Sequence, residues 1–96
     1  MSYLTALEDL HEDLILIGQP EDRRNAVAEN LTEALKECLD FLSDKDLQRR
    51  KVTLYPCEIL AAQHFLTQFG FHLKRVSIRR DHVEEPLAYA VFPNWK

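Results

Sequence analysis

Glycine is scarce in this chain, which has only Gly18 and Gly70 among its 96 residues. Loops that cradle phosphate groups, such as the P-loop and the G-x-G-x-x-G turn, need several closely spaced glycines. The sequence therefore excludes both of these nucleotide-binding loops. The G-x-S-x-G turn that presents a catalytic serine in α/β-hydrolases is also absent.

Cysteine and histidine are also sparse and lack the spacing of a metal site. The two cysteines, Cys38 and Cys57, lie in apolar stretches and imply no disulfide framework. Cys57 and His64 share a helical face, but seven helical residues separate them by about 10.5 Å along the axis. That distance is too long for a catalytic pair or for two ligands of one ion. We therefore expect no metal, no cofactor and no enzymatic activity.

Long apolar runs are missing as well. The longest, Leu14–Ile17 and Leu87–Phe92, fall far short of the roughly 20 residues that span a bilayer. The acidic start MSYLTALEDLHEDL has no basic region followed by an apolar one, unlike a secretory signal. With 46% apolar and 29% charged residues, the composition is typical of a globular protein. We expect a single cytoplasmic domain over residues 1–96 with no membrane partner.

The apolar residues that are present recur with helical periodicity. A first helix is predicted by a 4-3-4-3 spacing of apolar residues on one stripe: Tyr3, Leu7, Leu10, Leu14 and Ile17. Ser2 or Thr5 can cap its start, and Thr5 with Glu8 fits a capping box. Gly18 and Pro20 are expected to end it.

A second helix is predicted from about Pro20 to Phe41 or beyond. Its apolar stripe consists of Val27, Leu31, Ala34, Leu35, Cys38, Phe41 and Leu42. The short connection between the two helices predicts an antiparallel helical hairpin. The charged segment 43–51, SDKDLQRRK, is compatible with a helical extension, a separate turn or a loop.

The second half of the chain predicts strands around a third helix. Residues 51–55 and 72–80 read as strands, and the apolar run LAYAVF, 87–92, reads as a buried strand. Between the first two strands, residues 57–69 predict a helix that ends at a left-handed Gly70. The phenylalanines at 65, 69 and 71 are then core and cap residues rather than a stacking platform. If the first two strands share a sheet, they are parallel with a right-handed crossover.

These elements predict an α+β fold of order α-α-β-α-β-β. An N-terminal antiparallel helical hairpin packs with a small mixed three-stranded sheet and a third helix.

Charge is distributed unevenly along the chain. Residues 1–47 hold 12 acidic and 4 basic side chains, whereas residues 48–96 hold 4 acidic and 8 basic ones. On the 72–80 strand, Val76 and Ile78 are expected to face the core, which turns Arg75, Ser77 and Arg79 outward. The candidate binding residues are therefore the basic ones near this strand and before the first strand: Lys74, Arg75, Arg79, Arg80, Arg49, Arg50 and Lys51.

A short segment resembles a known family. In VTLYPCEILAAQHFLTQFGF, residues 52–71, a strand leads into a helix with Ala61, Ala62 and Phe65 that ends in Gly70–Phe71. Followed by a strand pair, this is similar to the C-terminal part of GCN5-related N-acetyltransferases, which show A-x-x-F/Y-x-x-x-G-F. Glyoxalase-like modules use a similar helix ending. The acetyltransferases hold acetyl-CoA on a glycine-rich loop, whereas the candidate segment here, QPEDRRNAVAEN, has no glycine.

Three functions follow in order of preference. We expect a small regulatory, adaptor or inhibitor protein that binds another protein through the acidic helical face or the basic strand. The first alternative is nucleic-acid binding through the seven basic residues, with an affinity that falls steeply with salt. The second, which the resemblance implies, is a divergent acyltransferase-like domain. Self-association is compatible with the charge asymmetry, and a basic strand can also simply protect a sheet edge.

Overall fold

A computed structural model describes residues 2–40, 47–76 and 86–95. Within these ranges the elements, in chain order, are α1 (Tyr3–Leu16), α2 (Glu21–Asp40), β1 (Lys51–Leu54), α3 (Ile59–Thr67), β2 (Phe71–Arg75) and β3 (Leu87–Pro93). A 3-10 turn, Pro56–Glu58, leads directly into α3. The α+β class and the element order α-α-β-α-β-β are confirmed.

Helix α1 begins at a serine cap and ends at a glycine. The Ser2 hydroxyl accepts a hydrogen bond from the Thr5 backbone N–H at 3.2 Å, so Ser2 is the capping residue. The expected Thr5–Glu8 capping box is therefore corrected, because both residues lie inside the helix. At the other end Gly18 has φ +85°, and the N–H of Gln19 donates to the Leu14 carbonyl at 2.9 Å. This left-handed termination turns the chain sharply toward α2.

The two long helices form the expected antiparallel hairpin. The Tyr3 hydroxyl at the start of α1 lies 2.5 Å from the Thr32 hydroxyl on α2, while the four-residue link 17–20 joins the opposite ends. The residues of these two helices that are buried in the core are Ala6, Leu10, Leu14, Val27, Ala28, Leu31, Ala34, Leu35 and Cys38. Phe41 and Leu42, which were expected to extend this stripe, lie outside the described residues.

Strand β3 lies between β1 and β2, and both of its pairings are antiparallel. The expected mixed sheet is therefore corrected to an antiparallel one. The physical reason is that β3 is the most apolar strand. Its central position lets it pair along both edges while the helices cover one face. Strands β1 and β2 still run in the same direction, but they do not touch as a pair.

Alternation along the strands separates a helix-facing side from an outer side. On the helix-facing side of β2, Phe71 is buried and Leu73 packs against the core. Val76 therefore falls on the outer side and is 37% exposed, which corrects the expectation that it faces the core. By the same alternation Arg75 lies on the side of Phe71 and Leu73, which corrects the expectation that it turns outward, although it is exposed at the strand end. The expected positions of Ser77, Ile78, Arg79 and Arg80 lie outside the described residues.

The link between α3 and β2 is confirmed as a glycine turn. Gly70 has φ +82°, a conformation that side chains with a Cβ rarely adopt. Phe65 and Phe71 on either side are buried in the core, and Phe69 packs against it, with its ring 5.2 Å from that of Phe65. The aromatic trio is therefore core, as predicted, and does not form an exposed stacking platform.

Candidate functional site

The structure does not gather the basic candidate residues into one surface. Arg50 is 0% exposed, which corrects its expected surface position. Its Nη1 atom donates to the Cys38 sulfur at 3.8 Å, and its guanidinium carbon lies 4.7 Å from the Phe92 ring centre. The cause is local, because the Arg50 carbonyl accepts from the Val91 N–H at 3.1 Å and so extends the β1–β3 ladder. Arg50 is thereby drawn into the interior and is removed from any surface contact.

Two of the exposed cations share the outer side of the sheet. Lys51 and Lys74 both pair with Ala90, so they flank the central strand on the same face. The Lys74 ammonium lies 4.8 Å from the Phe92 ring centre, and the His72 ring stacks on Phe92 at 6.1 Å. Phe92 is thus already contacted by two cations and a histidine. The half-buried Phe92 ring is therefore engaged within the protein rather than presented to a nucleobase.

The other cationic candidates lie apart from that face. Arg49 is half-exposed and forms an ion pair at 4.0 Å with Glu37 on α2. Arg75 is exposed at the end of β2, whereas Arg79 and Arg80 lie outside the described residues. The described cations therefore form no continuous basic strip.

A different surface stands out where the end of α1 meets the start of α3. Leu16 is 83% exposed and Leu60 is 84% exposed, and Ile15 and Ile17 beside them are also exposed. Leu16, Ile17 and Leu60 line a shallow pocket of about 330 Å³, together with Ala61, Cys57 and an acidic residue and a histidine at its rim. We call these four exposed aliphatic residues and their pocket the α1–α3 patch.

A buried carboxylate holds the two sides of the patch together. Glu58 is 0% exposed and accepts two hydrogen bonds from the Arg23 guanidinium, at 2.6 and 3.1 Å. It also accepts from the Gln19 side chain at 2.7 Å and from the Tyr55 backbone N–H at 2.8 Å. The start of α2, the 17–20 link and the turn before α3 therefore converge on one carboxylate. Because its oxygens are fully bonded, its burial is compensated.

The Arg23 side chain stays charged in this arrangement. Its hydrogen bond to Glu58, supported by the charge of that carboxylate, raises the pKa of Arg23, while partial burial acts in the opposite direction. The guanidinium also lies 4.9 Å from the Tyr55 ring centre. Arg23 is therefore committed to an internal contact rather than to a partner.

A second contact ties α1 to α3 at the rim of the pocket. The His64 Nδ1 atom on α3 lies 3.3 Å from an Asp13 carboxylate oxygen on α1. Cys57 also lines the pocket as an exposed free thiol, and the Gln19 amide approaches its sulfur at 3.6 Å. Apolar residues thus form most of the pocket surface, with one histidine–carboxylate contact along its edge.

The sequence interpretation missed this patch, although a signal was present. Ile15 and Leu16 are off the apolar stripe of α1, and Leu60 is off that of α3. Large aliphatic residues away from the core-facing stripe have no core position to occupy. Ile17 was assigned to the stripe, but it is exposed because the helix ends there.

Comparison with known proteins adds no relative, since no protein-family model, curated protein or solved structure matches this chain. In residues 2–40, 47–76 and 86–95, no cluster of three or more histidine, cysteine or acidic side chains is placed to hold a metal ion. Over the same ranges, no helix combines the length and apolar character needed to cross a membrane.

Proposed function

We propose that this protein is a non-enzymatic protein-binding module, an adaptor or inhibitor, that holds its partner on the α1–α3 patch. The observation that carries the proposal is the exposure of Leu16 and Leu60, both above four-fifths, around one pocket. Adjacent exposed apolar groups with a polar rim are typical of interaction sites on small proteins. Covering one leucine contributes about 1.5–3 kcal/mol, so two of them can anchor a contact.

The scaffold under the patch supports the same proposal. Ile17 lies two residues before Gln19, and Leu60 lies two residues after Glu58. The hydrogen bond of 2.7 Å between Gln19 and Glu58 therefore fixes the spacing between the two sides of the patch. A surface that is ordered before binding loses less conformational entropy when the partner arrives.

The two alternative functions have weaker support. Nucleic-acid binding needs several cations on one accessible face, whereas Arg50 is buried and Arg49 is paired with Glu37. The acyltransferase alternative depends only on the α3 segment that ends at Gly70 and Phe71. We therefore prefer protein binding.

The test is affinity capture from cells with matched variants. We expect wild-type protein to retain a stoichiometric protein partner after nuclease treatment, and the Leu16→Ser/Leu60→Ser variant to lose at least about tenfold of it. Leu39→Ser is the control, since Leu39 is 59% exposed on the far end of α2. Circular dichroism should show the same folded signal for all three proteins. Equal retention by the double variant, or loss of the bound material with nuclease, would reject the proposal.

A further inference from the structure

The size and lining of the pocket indicate what kind of group it accepts. Its volume of about 330 Å³ is at the lower end of the range for small-molecule sites. Leu16, Ile17, Leu60 and Ala61 form its apolar surface. The polar contribution consists mainly of the Asp13–His64 pair at the rim. This lining suits an aliphatic side chain better than a polar metabolite.

The surroundings of the patch are acidic. Glu12 and Asp13 of helix α1 lie beside the patch, Glu8 and Asp9 lie one to two turns earlier in the helix, and the first turn of α2 adds the exposed Glu21 and Asp22. The nearby arginines are directed into the protein, since Arg23 binds Glu58 and the Nη1 atom of Arg24 donates to the Gln19 carbonyl at 3.2 Å. The local potential is therefore negative, and cationic partners are attracted to it.

This charge pattern argues against a second copy as the occupant. In a two-fold dimer the same patch contacts itself. The acidic rims of the two copies, which include Glu12 and Asp13, would then both be brought to one interface. Like charges brought together across an interface oppose association. A partner of opposite charge meets no such repulsion.

Building on the protein-binding function proposed above, we infer that the α1–α3 patch takes a cationic amphipathic helix of another protein. Its aliphatic side chains enter the pocket between Leu16 and Leu60. Its lysines or arginines lie against the carboxylates of Glu12 and Asp13. Recognition of this kind places anchors at helical spacing into an apolar groove and fixes orientation through flanking charge.

Three synthetic helical peptides separate the two parts of this inference. The first alternates leucine and lysine at helical spacing, the second replaces each lysine with glutamate, and the third replaces each leucine with serine. Each peptide is titrated into the 96-residue protein, and the backbone amides are followed by NMR. We expect the leucine–lysine peptide to bind at least about tenfold more tightly than either of the others. The perturbed amides should be those of Leu16, Ile17, Leu60 and Ala61.

Protein variants provide the matched controls. Leu16→Ser/Leu60→Ser should abolish binding of the leucine–lysine peptide, and Leu39→Ser should leave it unchanged. Glu12→Gln/Asp13→Asn should weaken it about tenfold and flatten its dependence on salt, because the screened attraction has been removed. All five of these residues lie outside the buried core.

The outcomes separate this inference from the function on which it depends. Equal affinity for the leucine–glutamate peptide at the patch would overturn the cationic partner but leave protein binding intact. Binding that persists in the leucine-free peptide, or that perturbs amides away from the patch, would show non-specific attraction and overturn the inference. Concentration-dependent dimerisation that Leu60→Ser abolishes would assign the patch to a second copy and reject it as well. The function itself is tested separately by the cell-capture experiment. It would be rejected if Leu16→Ser/Leu60→Ser retained as much partner as the wild-type protein, or if nuclease removed the bound material.

Discussion

The α1–α3 patch and the outer face of the sheet use charge in opposite ways. At the patch, the charged groups Glu58 and Arg23 bind each other inside the protein, and the leucines face solvent. On the sheet, Lys51 and Lys74 flank the central strand, and Lys74 lies over the ring of Phe92. The basic residues that outnumber acidic ones in residues 48–96 thus include several with internal contacts. The exposed aliphatic residues, which the sequence does not emphasise, remain accessible.

The difference teaches where to search for a binding surface. Lysine and arginine have long apolar stems and several donors, so the protein can use them for packing and internal bonding. A cluster of cations in a sequence therefore does not identify an interface. A leucine that is more than four-fifths exposed cannot be explained by packing in this way. Two of them beside one pocket, Leu16 and Leu60, are the stronger signal.

The largest expected effect comes from removing the carboxylate beneath the patch. Glu58→Ala leaves the Arg23 guanidinium, the Gln19 amide and the Tyr55 N–H without their shared acceptor. Breaking a buried ion pair by deleting one partner costs about 3 kcal/mol or more. We expect urea denaturation to show a loss of that size. We also expect binding at the patch to weaken, because its two sides are no longer tied.

The control for this change is Glu21→Ala, an exposed glutamate in the first turn of α2. Its effect should stay below about 1 kcal/mol, the contribution of an acidic side chain near a helix N-terminus.

Because the pKa of Arg23 is raised by Glu58, the contribution of the Arg23 charge is complete at all pH values below its unfolded-state pKa. It is lost only as the pH rises through the folded value, in strongly alkaline solution. An unchanged urea midpoint for Glu58→Ala would contradict the role of the Glu58 carboxylate in joining the two sides of the patch.

The next largest effect tests whether the basic residues near the sheet serve internal packing, and it compares two adjacent arginines. Arg50 is fully buried, whereas the side chain of Arg49 is 54% exposed and its ion pair with Glu37 is 4.0 Å long. Arg50→Ala removes packing against Cys38 and Phe92 and should cost about 2 kcal/mol or more. Arg49→Ala should cost less than about 1 kcal/mol, as is usual for an exposed ion pair. Equal urea midpoints for the two variants would place Arg50 at the surface after all.

Much of the fold could be predicted because helical periodicity is a local property. The stripe that includes Leu10 and Leu14 fixed the buried side of α1, and Gly70 marked the end of α3. Strand pairing was not predictable in the same way. Which strand takes the centre depends on contacts across the sheet. The apolar β3 could pair on both of its edges, and the sequence did not show that both pairings would be antiparallel.

The prediction of which β2 side chains face the core failed for a related reason. Apolar residues occur on both faces of β2, with Phe71 and Leu73 on one face and Val76 on the other. The two-residue period of the strand therefore does not show which face is buried. Helix packing decided the question by burying Phe71. Glu58, by contrast, could have been recognised. It stands three residues after Tyr55 with Pro56 between them, and its carboxylate accepts the Tyr55 N–H as in a capping box.

The smallest expected effect concerns the exposed lysines of the sheet. Lys51→Glu/Lys74→Glu reverses both charges and removes the cation from the Phe92 ring. A cation over an aromatic ring at an exposed site contributes about 0.5–1 kcal/mol, so the free energy of unfolding should fall by about 1 kcal/mol or less. Binding at the α1–α3 patch should not change, because neither lysine belongs to it.

The same double variant decides which of the two surfaces meets the partner. Fluorescence anisotropy with single-stranded and duplex oligonucleotides at low salt is the measurement. We expect only weak binding by the wild-type protein and little further loss in the variant. Tight binding that falls steeply with salt and disappears in Lys51→Glu/Lys74→Glu would reverse the comparison, since phosphate contacts produce that dependence. The sheet would then be the functional surface, and the exposed leucines would need another explanation.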